Sequence, residues 1–308
     1  MKRWIAAGVV ITITVLSLVV AFWQGPNPGI GRQTRVSDGA VALVRVEGTI
    51  VSGGGGTSLF SGAVAGSEDI VELLDEVAED PSLKALVLRV NTPGGSVVAS
   101  WEISEAIKRV QAAGKPVVVS MGESATSGGY WISAGADRII ASPDTLTGSI
   151  GVIMQFQNLT EVYAKIGYKT DTFKSGPYKD IGNPGREMTE AERVFLQELV
   201  DETYEVFVQL VAEGRDMSRA DVLKVADGRV FTGRKALELG LVDELGDLKH
   251  AVRVAGELAG IAGEPTVREL SGSGWLFGNL LGRLFTPPSS WAAPGGLYAL
   301  EPEPAILH

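Results

Sequence analysis

The sequence predicts an α/β domain built on a largely parallel sheet with flanking helices. Short apolar runs at residues 41–50, 85–90, 116–121 and 138–141 alternate with amphipathic stretches of helical period. Loops bearing Gly, Pro, Asn or Ser separate them, as in NTPGGS and ATSGG. Strand, helix and strand in that repeated order imply parallel neighbours joined by right-handed crossovers.

Taken in order, residues 5–22 are apolar, small or hydroxylated, carry no charge, and are bracketed by Trp4 and Trp23. A helix of that length, at ~1.5 Å per residue, crosses a hydrocarbon core of ~30 Å. Lys2 and Arg3 precede it, so the positive-inside rule puts the N-terminus in the cytoplasm and the rest outside. A cleaved signal peptide would have a shorter apolar region and a better small-residue site than Val19, Val20 and Ala21. Residues 1–23 therefore read as an uncleaved, single-pass anchor in the cell membrane, and residues 24–38, with their GPNPG, as a linker.

VALVRVEGTI (41–50) reads as the first strand, ended by the mobile glycine-rich loop 52–56. That loop lacks the Gly-Lys-Ser/Thr and directly following helix of a phosphate cradle. A helix follows from Ser67 as N-cap, with Glu68 and Asp69 in its first turn and Ile70, Leu73, Leu74 and Val77 at helical spacing. ALVLRV (85–90) is a buried strand, and the helix 98–112 turns Val98, Trp101, Ile107 and Val110 inward. Strand 116–121, helix 127–136 and strand 138–141 come next. A helix over 159–165 and a strand over 169–173 precede a long helix opened by Thr189, with Glu192 completing a capping box. Its apolar stripe is Leu196, Leu199, Val200, Phe207, Leu210 and Val211. Short helices at 220–225 and 234–238 lead to one at 247–259; beyond Gly263 the pattern decays, apart from an apolar island at 275–285.

Composition removes whole classes of chemistry. A formal charge of −10 argues against a nucleic-acid partner. With no cysteine there is no disulfide, thiolate metal site or cysteine nucleophile. Only two histidines exist, His250 on a late amphipathic helix and the terminal His308, so zinc hydrolysis through HExxH and a Ser-His-Asp triad are both disfavoured. Ser, Thr, Lys and carboxylates remain as nucleophiles.

Ser127 stands out among them, just behind a buried strand and at the first turn of a helix, in ATSGGYW. This has the logic of a nucleophile elbow without a literal GxSxG, although an N-cap followed by packing glycines has the same local pattern. The loop NTPGGS (91–96) lies at a strand's C-terminal end, where ligands bind in open α/β sheets. Backbone N–H groups of Gly94 or Gly95, with that of Gly128, would make an oxyanion hole there. Ser96 is a weaker nucleophile candidate, lacking small residues behind it. A lysine can serve as the base if desolvation drives it towards its neutral form, and FKSGPYKD (173–180) offers Lys174 and Lys179 in a loop, where most lysines are solvated surface groups.

Together NTPGGSV, ATSGGYWISAGADRIIA, TLTGSIGVI, FKSGPYKDIGNPGREMT and GRVFTGRKALELGLVDELG resemble the short-form signal peptide peptidase A family, in order and spacing, from about residue 40 to 260. The resemblance implies a ClpP/crotonase-like fold over residues 39–263, preceded by the transmembrane helix, with 264–308 a flexible tail. It implies Ser127 as nucleophile, Lys179 as general base, Ser149 as the hydroxyl that orients the lysine, and Gly94 and Gly128 as oxyanion donors. The implied substrates are remnant signal peptides and misfolded exported segments, with no metal or cofactor. The implied assembly is a homo-oligomeric ring, for which an octamer is one candidate size. An acyl-CoA-processing relative and a non-catalytic anchored scaffold are the alternatives. CoA chemistry fits poorly with an exported domain, and an intact Ser127 and Lys179 fit poorly with a scaffold.

Overall fold

The computed structural model describes residues 39–58 and 62–271. The anchor expected at residues 1–23, the linker at 24–38 and the apolar island at 275–285 lie outside the described residues. Among those described, no helix is long and apolar enough to cross a membrane.

Strand β1 (Ala40–Glu47) runs to Gly48, whose φ of 85° ends it, and β2 (Thr49–Val51) follows directly. Strands β3 (Gly56–Ser58) and β4 (Gly62–Gly66) complete a small sheet in which β2 pairs parallel and β3 antiparallel with β4. Next come α1 (Ser67–Glu79), β5 (Leu83–Thr92), α2 (Val97–Ala112), β6 (Val117–Thr126), α3 (Gly128–Ala134) and β7 (Arg138–Ala141). Strand β8 (Leu146–Gly148), α4 (Thr160–Ile166), α5 (Glu190–Gly214), α6 (Arg219–Leu223) and β9 (Val230–Thr232) follow. The described chain closes with α7 (Gly233–Glu238), β10 (Glu244–Leu245), α8 (Leu248–Leu258) and β11 (Thr266–Leu270).

The main sheet has the order β10-β7-β6-β5-β1-β11, every pair parallel, as the strand–helix alternation predicts. Strand β8 adds parallel to the end of β6, and β9 pairs antiparallel with β8, so the sheet is mixed at that corner. Alternate residues of the central strands feed two cores. Val44, Val46, Leu86, Leu88, Val117 and Val119 face the side covered by α1, α2, α3 and the C-terminal half of α5. Val41, Leu43, Ala85, Val87, Val118 and Ile140 face Ala251, Val254 and Ala255 of α8. Burial on both faces explains why these strands read as continuous apolar runs.

Several expectations are corrected. Helix α2 buries Ala99, Ile103, Ala106, Ile107 and Val110, while Val98 and Trp101 are more than half exposed. Residues 169–173 form no strand among the described residues, since nothing there pairs with them. The N-cap of α1 is Gly66; Ser67 is the first helical residue, and its hydroxyl donates to Glu102 Oε2 at 2.6 Å. Thr266–Leu270 continues the main sheet by pairing with β1, so the folded domain runs past residue 263. The glycine-rich loop is also tied down: Gly55 N–H donates to Asp69 Oδ2 at 2.7 Å, and Glu68 N–H to Gly53 O at 3.2 Å.

Candidate active site

Strand β6 ends where its partners hold it, with Thr92 of β5 opposite Ala125 and Gly148 of β8 opposite Thr126. The chain must then turn at once into α3, and Ser127 makes that turn at φ 54°, ψ −118°. A non-glycine residue at positive φ is strained, and the strain persists because the surroundings over-determine it. Here Ser127 N–H donates to Gly148 O at 2.9 Å and Ser127 O accepts from Trp131 N–H at 2.9 Å. Its Oγ makes no hydrogen bond within the described residues, and the side chain is partly exposed. Ser127 is therefore a presented hydroxyl on a strained strand-to-helix turn and does not cap α3.

The loop 92–96 lies against this turn. A Cβ on Gly94 would fall 2.7 Å from Gly128 N and 2.8 Å from Ser127 Cβ; one on Gly128 would fall 2.5 Å from Ser100 Oγ and 3.2 Å from Gly95 N. Glycine is required at Gly94 because two backbones touch there, and at Gly128 a side chain would meet the Ser100 hydroxyl. Strand β2 fixes the loop from the other side, through Ile50 N–H to Gly94 O and Ser96 N–H to Ile50 O, both at 2.9 Å.

This geometry distinguishes the glycine N–H groups of the loop. Gly94 is in contact with Ser127, but its N–H is spent on Thr92 Oγ1 at 3.0 Å. Gly95 N and Gly128 N lie close together and have no acceptor among the described residues. The pair available to a developing oxyanion is Gly95 and Gly128. The resemblance implied Gly94 with Gly128; the buried Thr92 hydroxyl occupies the Gly94 N–H and leaves that of Gly95 without an acceptor among the described residues.

Ser149 follows directly on Gly148, the residue whose carbonyl holds Ser127. It too has positive φ, 50°, and its N–H donates to Arg229 O at 2.8 Å. Ser149 thus sits beside the Ser127 turn, pinned by the segment leading into β9. Ser96 is the N-cap of α2, its Oγ accepting from Ala99 N–H at 3.3 Å, which accounts for it without chemistry. His250 Nε2 is 2.7 Å from Glu244 Oε2 on the β10–α8 side of the sheet, while His308 lies outside the described residues.

The two lysines part company. Lys174 Nζ donates to Asp180 Oδ1 at 2.7 Å and to Pro177 O at 3.2 Å. Lys179 is exposed, and its amine has no hydrogen-bond partner among the described residues. The single chain forms no hydrogen bond between Lys179 and Ser127. Lys179 belongs to an arm, residues 152–191, that is almost wholly at the surface: Ile153 is 87% and Phe173 97% exposed. Within this arm Arg186 and Lys174 hold the Asp180 carboxyl well below the usual carboxylate range. Arg186, helped by the Thr189 N–H, lowers that of Glu192 to about 2. The sequence flagged Glu192 as a capping residue, which it is, but gave no sign of the Arg186 cluster around it.

A strained, presented serine beside two unspent backbone N–H groups, with no histidine among the described residues of the site and no cysteine in the chain, fits a serine hydrolase of α/β architecture. The chain matches the model of peptidase family S49 over residues 109–262 and that of Clp protease over residues 64–146. It belongs to peptidase family S49. A protein named as a signal peptide peptidase SppA in Enterococcus faecium is 34% identical, over 82% of this chain and 79% of that one. Protease 4 of Haemophilus influenzae is 37% identical over 75% of this chain, which spans only 37% of its length. The chloroplastic serine protease SPPA of Arabidopsis thaliana is 34% identical, over 72% of this chain and 32% of its own. The protein is a serine protease.

Proposed function

We propose that the protein is a membrane-anchored endopeptidase that degrades remnant signal peptides and misfolded exported segments, using Ser127 as nucleophile and Lys179 as base. The observation that carries the reading is the strained Ser127 turn, which lies against the loop and helix start that carry the unspent N–H groups of Gly95 and Gly128. Neutral Lys179 takes the Ser127 proton as Oγ attacks the peptide carbonyl carbon. The carbonyl oxygen becomes an oxyanion held by Gly95 and Gly128, each such donor being worth about 3–4 kcal/mol. Collapse breaks the C–N bond, and Lys179 returns its proton to the leaving amine. Water then resolves the acyl-enzyme, and Ser149 orients the lysine throughout.

In this reading Lys179 reaches the serine of a neighbouring copy in a homo-oligomeric ring. Support comes from an exposed lysine on an exposed arm that also presents Ile153, Ile166, Tyr168 and Phe173 to the surroundings. The uncharged segment 5–22 supports a single N-terminal anchor with the catalytic domain outside the cytoplasm.

A fluorophosphonate probe and casein hydrolysis test the assignment together. Ser127→Ala should abolish both labelling and turnover, and Lys179→Ala should abolish turnover. Labelling that survives Ser127→Ala, or turnover that survives Lys179→Ala, overturns it.

A further inference from the structure

We infer that Arg186 is a positioning residue for the base: its guanidinium clamps the turn that carries Lys179 to the start of α5. The inference rests on the proposed role of Lys179.

The turn is built from short links. Lys179 N–H donates to Gly176 O, Ile181 N–H to Tyr178 O and Asn183 N–H to Asp180 O, at 3.1–3.2 Å. Such links shape the turn but do not fix it relative to the body. Arg186 does. Its Nε and Nη2 reach both carboxylate oxygens of Asp180 at 3.0 and 2.8 Å, and Nη2 also reaches Asp180 O at 3.2 Å. The side chain and backbone of the residue after the base are thereby held by one group. On its other side Nη1 donates to Glu192 Oε2 at 2.9 Å and Nη2 to Glu192 Oε1 at 2.5 Å.

Glu192 is buried and locked in turn, since its carboxylate accepts from Thr189 N–H at 2.9 Å in the capping box of α5. The far half of α5 is sunk in the core, with Phe207 4.7 Å from Trp131 of α3, the helix that opens directly after Ser127. A continuous path therefore runs from Lys179 through Asp180, Arg186, Glu192 and α5 to the nucleophile turn of the same subunit. It sets where each subunit offers its lysine. Two carboxylates and two carbonyls, counting Glu187 O at 3.0 Å, need a planar fork of five donors. A lysine offers a point charge and cannot span them.

The full chain in detergent, as wild type and as Arg186→Gln, Arg186→Lys and Lys179→Ala, tests this. Steady-state kinetics on one peptide and amide exchange by mass spectrometry are read together. Arg186→Gln should lower kcat on the order of 10²-fold through misplacement of the base, with KM changed less than about 2-fold. Exchange should rise over residues 175–187 and stay at wild-type rates in β1, β5 and β6. Arg186→Lys should recover only part of kcat. If Lys179→Ala is as active as wild type, the reading of the base fails and this inference falls with it. If Lys179→Ala is dead while Arg186→Gln keeps its kcat or leaves exchange over 175–187 unchanged, the inference alone is overturned. A kcat loss accompanied by faster exchange throughout the sheet reduces Arg186 to a structural role and overturns it too.

Discussion

Ser127 holds a backbone geometry that costs of order 1–3 kcal/mol, and the neighbours that impose it are also those that make the site. Thr92 shows how closely the two are coupled. It is fully buried, its hydroxyl takes the Gly94 N–H, and its Cγ2 would lie 2.7 Å from a Cβ on Gly129. Thr92→Val keeps the shape but leaves the Gly94 N–H without an acceptor, at a cost of about 1–3 kcal/mol. The loop then relaxes to find a new acceptor, and the Gly95 N–H turns with it. The expected result is a lower melting temperature together with a fall in kcat of roughly 10-fold or more, as for loss of part of an oxyanion donor. A variant that melts lower but keeps wild-type kcat would show that Thr92 supports the loop without aiming Gly95. No local sequence pattern separates Gly94 from Gly95, because which of two consecutive N–H groups is spent depends on a side chain folded back from two residues earlier.

Elements were legible in proportion to how local their causes are. The capping box of Thr189 and Glu192 fixes the start of α5 whatever surrounds it, and doubly buried β5 and β6 announce themselves by apolar runs. Strands β8, β9 and β10, of two or three residues each, exist only because a distant partner holds them, so period and propensity cannot report them. The inward face of α2 was misjudged at Val98 and Trp101 because a helix with apolar residues on two sides leaves its orientation to tertiary contacts. Strand β11 has a further tie that no period reports: besides its pairing with β1, an ion pair joins it to the end of α1. Arg268 Nη2 reaches Asp80 Oδ2 at 2.5 Å and Glu76 Oε1 at 3.3 Å, from the end of α1. Hydrogen bonds from the Ser82 hydroxyl and N–H, then from Arg268, lower the Asp80 pKa from 3.8 to about 2. A depressed carboxylate contributes stability that is complete above its unfolded value and is lost as pH falls through the folded one. Amide exchange over 266–270, corrected for intrinsic rate, should therefore quicken between about pH 4 and pH 2. Asp80→Asn should quicken it already at neutral pH and flatten that acid dependence. Equal protection in variant and wild type would mean that pairing with β1 alone holds the strand.

At the scale of the whole molecule, the chain presents a strained serine beside two unspent backbone N–H groups and, on an exposed arm, a lysine that its own fold does not bond to that serine. The arm also carries large apolar side chains in water, an arrangement that costs about 25 cal/mol per Å² relative to burial and that a neighbouring copy would relieve. The proposed ring joins these facts: an arm reaching forward onto the next copy is a heterologous contact, and such contacts close into rings when the rotation permits. Anchoring every copy by residues 1–23 would align the subunits on the membrane and leave the serines inside an enclosure that admits extended chains. The proposal makes a quantitative demand on mixed assemblies. Ser127→Ala and Lys179→Ala subunits should each be inactive alone. If each site takes its serine from one subunit and its lysine from the next, random co-assembly at equal amounts leaves roughly a quarter of the sites with both residues intact. Co-expressed or co-refolded mixtures should then recover about that share of wild-type turnover, whereas the same two proteins mixed after assembly should not. If both residues of each site come from one subunit, every mixture stays as inactive as its parents, and the trans arrangement is wrong.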